Sequence, residues 1–108
     1  MDKRRIDKEI KNVAIKYAKE LKRYIKLDGL YVFGSYIKGT QHEYSDIDIL
    51  IVASKFPVNS MIEAMAWAMF IGHKVDIRIE PHPILTKDFL EENSILLDMI
   101  KDEMIKIA

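Results

Sequence analysis

The sequence predicts an α/β (α+β) sandwich, a small mixed central sheet covered by helices. Three observations predict it. Segments with apolar residues at helical spacing alternate along the chain with short β-rich runs, as they do when helices pack over one sheet. One of those runs, SDIDILIVAS from Ser45 to Ser54, is continuously apolar after its aspartates, as a strand covered on both faces is. Finally, 49% hydrophobic and 31% charged residues, with four glycines and three prolines, describe a globule rather than a disordered chain. With 108 residues, a single domain over 1–108 is expected, burying about two-thirds of its unfolded surface.

Taken in order, Ile6, Ile10, Val13, Tyr17, Leu21 and Tyr24 recur in steps of three and four and predict an amphipathic helix from Asp2 to about Lys26. Asp28-Gly29 ends it. LYVFGS, from Leu30 to Ser35, is a short strand run, YIKG after it a helical turn, and SDIDILIVAS the longer strand. Both strands are expected to be central. After the break at KFP, Asn59 or Ser60 caps a helix to about Ile71, which Gly72 closes. KVDIRIE, from Lys74 to Glu80, reads as the third strand, and Pro81 and Pro83 as the turn that ends it. Thr86 to Phe89 predicts a short helix, and Leu96, Leu97, Ile100, Met104 and Ile105 predict another from Ser94 to about Lys106. The helix VNSMIEAMAWAMFI is apolar on nearly every side, so a cover is expected for its outer face. The C-terminal helices would supply it, or else a second copy of the chain or a partner protein, to which Trp67 and the flexible Met61, Met65 and Met69 are suited.

Composition excludes several kinds of chemistry. There is no cysteine, hence no disulfide, thiolate metal site or cysteine nucleophile, and any metal must sit on oxygen or imidazole. The charged first thirty residues lack the apolar core of a secretory signal, so a cytoplasmic location is expected. The longest nearly uncharged run, Met61 to Gly72, contains Glu63 and falls short of the roughly 20 residues that span a bilayer. No membrane association is expected. Net charge is zero, yet residues 1–40 carry eleven Lys or Arg against five acids, and residues 41–108 six against twelve. Neutrality argues against nucleic acid as a direct partner, whereas a local basic surface can steer a compact polyanion such as ATP.

The chemistry is concentrated in FGSYIKGTQHEYSDIDILIVAS, residues 33–54. Asp46 and Asp48 stand two apart on a predicted strand, so their side chains leave one face with Cα atoms roughly 6 to 7 Å apart. Converging carboxylates repel unless a cation compensates, and Mg²⁺ is the usual oxygen-seeking choice. Asp76, in the predicted third strand, supplies a third carboxylate if that strand neighbours the Asp46 strand, and alternation places Asp76, Arg78 and Glu80 on one face. Gly34-Ser35 ends the first strand and opens a helical turn, where free N–H groups and a hydroxyl can hold a phosphate. Phosphate at one end and metal at the other is the layout for phosphoryl or nucleotidyl transfer.

GSYIKGTQHEYSDIDILIV followed by VDIRIE resembles the polymerase-beta-like nucleotidyltransferase superfamily, in its smallest form the minimal nucleotidyltransferases (MNT). The resemblance runs from the leading helix through the third strand, and the tail EPHP…DF…EEN is similar to members of that group. It implies a nucleotidyltransferase fold, Gly34 and Ser35 contacting the triphosphate of ATP, and two Mg²⁺ ions on Asp46 and Asp48 with Asp76 completing the site as ligand and base. It implies AMP transfer to a hydroxyl. The family's small members act as antitoxins, modifying a tyrosine of a HEPN ribonuclease toxin in a type VII toxin–antitoxin pair. Other possibilities are transfer to a small molecule or RNA end, or a non-catalytic module that occludes a toxin. Many relatives have arginine where this chain has Lys38, which keeps the charge on leaving pyrophosphate but loses the bidentate fork. His42, His73 and His82 show no metal-ligand spacing with one another, and Arg78 and Glu80 are expected to pair together or line the cleft.

Overall fold

The computed structural model describes residues 6–39 and 45–108, with the side chain of Lys38 excepted. His42 and the Lys38 side chain therefore lie outside the described residues. The elements run α1 (Lys8–Leu21), β1 (Leu27–Phe33), α2 (Ser35–Lys38), β2 (Ile47–Ala53), α3 (Met61–Val75), β3 (Ile79–Leu85), α4 (Thr86–Leu90), α5 (Ile95–Ile100) and β4 (Ile105–Lys106). Among the described residues, four strands form a mixed sheet in the order β3-β2-β1-β4. β1 lies antiparallel to β2 and β4, while β2 and β3 run parallel through the α3 crossover.

The two faces of the sheet carry separate cores. Ile47, Ile49 and Ile51 of β2, with Leu30, Val32 and Ile79, pack under Ile10, Ala14, Tyr17 and Leu21 of α1 and Ala68 and Ile71 of α3. Leu50 and Val52 face the other way, with Phe33 and Ile84, onto Leu97 and Ile100 of α5 and Phe89 of α4. This period of two explains the unbroken apolar run of β2, because alternate residues of a central strand enter different cores.

Several elements depart from expectation, each for a local reason. Gly72 does not close α3 but lies inside it. A Cβ there would come within 2.9 Å of Ile79 Cγ2 and 3.3 Å of Tyr17 Cζ, so the glycine lets the helix approach the sheet and α1 closely. The helix starts at a reciprocal cap, with Ser60 Oγ accepting the Glu63 N–H at 3.2 Å and donating to Glu63 Oε1 at 3.1 Å. The third strand begins at Ile79 rather than Lys74 and runs through Pro81 and Pro83 instead of turning there. β3 is an edge strand, and the Ile47 N–H bond to the Arg78 carbonyl, 2.7 Å, turns the even-numbered residues toward β2. The nitrogens of Pro81 and Pro83 therefore face away from the ladder, where no donor is needed. The predicted tail helix stops at Ile100, and the chain then adds β4 to the free edge of β1.

The C-terminal helices do not cover α3, since they pack on the opposite face of the sheet. Ile62 and Phe70 on its outer side remain 84% and 66% exposed.

Tyr17 links the two helices of the larger core, its buried hydroxyl donating to the Ala68 carbonyl at 2.6 Å. Tyr17→Phe removes that bond without opening a cavity, and we expect a loss of about 1 kcal/mol, measured as a lower midpoint in urea at an unchanged slope.

Candidate active site

Parallel pairing of β2 with β3 builds the site. The register sets Asp48 opposite Glu80 and Leu50 opposite His82, so Glu80 and His82 project from the sheet face that carries Asp48. Asp46, two residues before Asp48, is exposed at the entry to β2, while Asp48, Glu80 and His82 are half-buried. Oxygens of Asp48 and Glu80 and a ring nitrogen of His82 lie within 4.8 Å of one another. His82 Nε2 is 3.2 Å from Asp48 Oδ1, and the imidazole leans on Phe33, with ring centroids 5.1 Å apart.

The crowding has an electrostatic signature. A hydrogen bond with the Asp46 carboxyl holds Glu80 above the usual carboxylate range, and burial and the charges of Asp48 and Asp46 push the same way. The neighbouring His82 opposes this shift. Three carboxyl groups thus gather where one retains its proton more tightly than in water.

The glycine-serine corner closes the site from β1. Phe33, the last residue of β1, pairs with Asp48, so Gly34 lies directly beside that carboxylate. Gly34 adopts φ +82°, and a Cβ there would collide with Asp48 Oδ2. Both facts demand glycine. Ser35 opens α2, whose first turn is tied back by the Ile37 N–H to the Gly34 carbonyl at 3.0 Å. The Tyr36 hydroxyl donates to the Ser45 carbonyl at 3.3 Å, joining the turn to the approach to β2. Lys38 is the last residue of α2.

Asp76 does not join the cluster. It caps the C-terminus of α3, before β3 has begun, so the strand alternation expected for it never applies. Its carboxylate accepts from Arg78 Nε at 3.0 Å, Arg78 Nη2 at 2.8 Å and the Arg78 backbone N–H at 2.9 Å. These bonds, the guanidinium first among them, hold Asp76 below its ordinary range. Arg78 also reaches Glu9 of α1 at 3.0 Å and the Tyr36 hydroxyl at 3.4 Å, so it pairs with Asp76 rather than with Glu80. The third carboxylate beside Asp46 and Asp48 is Glu80. The missed signal is that alternation continues through the prolines, with Glu80, His82 and Ile84 on one face and Ile79 and Pro81 on the other; expecting a turn at Pro81 and Pro83 concealed it.

The donor set fits a hard divalent cation. Asp48 and Glu80 offer oxygens and His82 a ring nitrogen within 4.8 Å of one another. Asp46 adds a carboxyl beside Glu80, and a cation would relieve the repulsion that raises the pKa of Glu80.

Comparison with known proteins points the same way. A family model described as a nucleotidyltransferase domain matches residues 14–107. A Methanocaldococcus jannaschii protein named "putative protein adenylyltransferase" is 30% identical over 99 residues, covering 92% of this chain and 95% of its own length. Another of that name from the same organism is 33% identical over 93 residues, covering 81% and 93%. Among solved structures, the crystal structure of a toxin–antitoxin with AMP-PNP superposes with a TM-score of 0.60 at 27% identity, over 91% of this chain and 72% of that one. A Sulfolobus solfataricus crystal structure described as a "putative nucleotidyltransferase" shares the fold, with a TM-score of 0.56 at 18% identity over 91% and 82% of the two chains.

The two displaced acids should respond oppositely to neutralisation. Glu80 has a higher pKa folded than unfolded, so the stability linked to its proton is present at low pH and lost as pH rises through the folded value. Glu80→Gln should therefore raise the melting temperature of metal-free protein at neutral pH, with the advantage vanishing in acid. Asp76 is depressed, so its contribution is present above the unfolded pKa and lost as pH falls through the folded one. Asp76→Asn should cost about 2 kcal/mol at neutral pH, and chemical denaturation across a pH series should show that cost shrinking in acid.

Proposed function

Because the chain belongs to the nucleotidyltransferase family, we propose that it transfers AMP from ATP to a protein hydroxyl, with Asp46, Asp48 and Glu80 as the ligands of its divalent ions. The observation that carries this reading is the Asp48–Glu80 register pair, with Asp46 bonded to Glu80 and Gly34 packed against Asp48. When bound, two Mg²⁺ ions would offset charge on the phosphates and lower the pKa of the attacking hydroxyl.

The residues of the chain supply binding and orientation. Gly34 lets the triphosphate approach the backbone at the start of α2, where N–H groups and the Ser35 hydroxyl serve as donors. Lys38 balances charge on the departing pyrophosphate. The acceptor oxygen forms a bond to the α-phosphorus as the bridge to the β-phosphate breaks, and the hydroxyl proton passes to a carboxylate of the cluster. Asp76 takes no part, because Arg78 already occupies its carboxylate.

The acceptor proposed is a tyrosine of a HEPN ribonuclease toxin, with this chain as its antitoxin. Support comes from the toxin–antitoxin structure with AMP-PNP and from the uncovered apolar side of α3, where Ile62, Met65 and Phe70 are exposed. A protein acceptor uses such a surface; a small molecule does not.

The test is label transfer from ATP carrying ³²P at the α-position, with Mg²⁺ and the toxin encoded nearest to this chain. Wild type and Asp76→Asn should label the toxin at comparable rates, while Asp46→Asn, Asp48→Asn and Glu80→Gln should each lose at least about a hundredfold. Full labelling by Asp48→Asn would refute the site. Neutralisation of the toxin by all three inactive variants would instead make the protein an occluding module, and labelling of RNA alone would move the acceptor to a nucleic acid end.

A further inference from the structure

We propose that His82 is itself a ligand, through Nε2, and that it makes the Asp48–Glu80 site a mixed nitrogen and oxygen centre selecting Mn²⁺ over Mg²⁺. This rests on the assignment of Asp48 and Glu80 as cation ligands and deepens it.

The geometry is that of donors already assembled. His82 Nε2 stands 3.2 Å from Asp48 Oδ1. Two donors at right angles around an octahedral ion with bonds of about 2.1 Å are about 3.0 Å apart, so a small shift brings both onto one ion. The Glu80 oxygen falls within the same 4.8 Å sphere.

His82 is also poorly placed to move away. It stands in β3 between Pro81 and Pro83, whose φ angles are fixed by their rings, and its imidazole rests on Phe33. The strand pairing holds its backbone opposite Leu50. Without an ion the Nε2–H of His82 donates to Asp48. Ligation through Nε2 needs the neutral tautomer with its proton on Nδ1, which an ion selects as it replaces that hydrogen bond.

The chemistry then decides the ion. Mg²⁺ holds to oxygen donors and gives up its waters reluctantly. Imidazole binds first-row transition dications better than it binds Mg²⁺, and although Mn²⁺ is the weakest of that series it is the one that also accepts carboxylates readily. Replacing one oxygen by His82 Nε2 therefore shifts preference away from Mg²⁺.

The experiment uses the full chain and Mn²⁺ alone as probe, following loss of the six-line EPR signal of free Mn²⁺ and competing it with Mg²⁺. Wild type should hold Mn²⁺ at least about tenfold more tightly than Mg²⁺, and pulsed EPR on bound Mn²⁺ should show modulation from a directly coordinated ¹⁴N. His82→Gln keeps an N–H donor for Asp48 but is a poor ligand, so it should lose most of the preference for Mn²⁺ while Mg²⁺ binding stays near wild type. Absence of nitrogen modulation in the wild-type protein overturns the proposal whether or not the variant folds. Unchanged Mn²⁺ affinity in a folded His82→Gln protein, with binding lost in Asp48→Asn and Glu80→Gln, overturns the role of His82 and leaves the carboxylate site standing. If wild type holds neither ion, both assignments fail.

Discussion

Hydrogen-bonded strands lie about 4.8 Å apart, and that spacing governs this molecule. Once β3 pairs in parallel with β2 and Ile47 meets Ile79, Glu80 has no choice but to stand beside Asp48. The same register drives Ile79 into the core under α1 and α3. The packing that stabilises the sheet thus also forces the two acids together. A slip of one residue would exchange the faces of β3, sending Glu80 inward and Ile79 out, so the hydrophobic core enforces the arrangement of the polar site.

The arrangement has an electrostatic cost that the fold handles unevenly. Asp76 is neutralised within its own loop by Arg78, which also fastens α1 through Glu9 and the α2 turn through Tyr36. Through Tyr36 those contacts also brace the turn that follows Gly34 and Ser35. Among the described residues Glu80 receives no such guanidinium, and the Asp46 hydrogen bond, burial and the charge of Asp48 raise its pKa. Two acids four residues apart therefore have opposite roles, one stabilising the fold and the other destabilising it at a place where a cation can enter.

Much of this was legible in the sequence. The central pair of strands, the two-residue spacing of Asp46 and Asp48 and the close approach at Gly34 all follow from short-range periodicity and from glycine's freedom, and the register of Phe33 with Asp48 assembles them. The family resemblance seen in Gly34-Ser35 and Asp46-x-Asp48 is matched by the family model over residues 14–107. The third carboxylate was not legible, because its identity depends on where β3 begins, a tertiary matter decided by Ile79 packing under α3. Pro81 and Pro83 normally signal a turn, and only the knowledge that β3 is an edge strand makes them compatible with a ladder. Likewise β4 is two residues long, and no periodic pattern can announce so short a strand in a tail whose apolar residues suit a helix.

The placement of those prolines has a consequence for company as well as for architecture. An exposed strand margin ordinarily invites another polypeptide to zip onto it. Along β3 that invitation is withdrawn at Pro81 and Pro83, which present ring carbons where amide hydrogens would be offered. A neighbouring molecule therefore finds no amide donors at Pro81 and Pro83 with which to lengthen the sheet beside the acidic cluster.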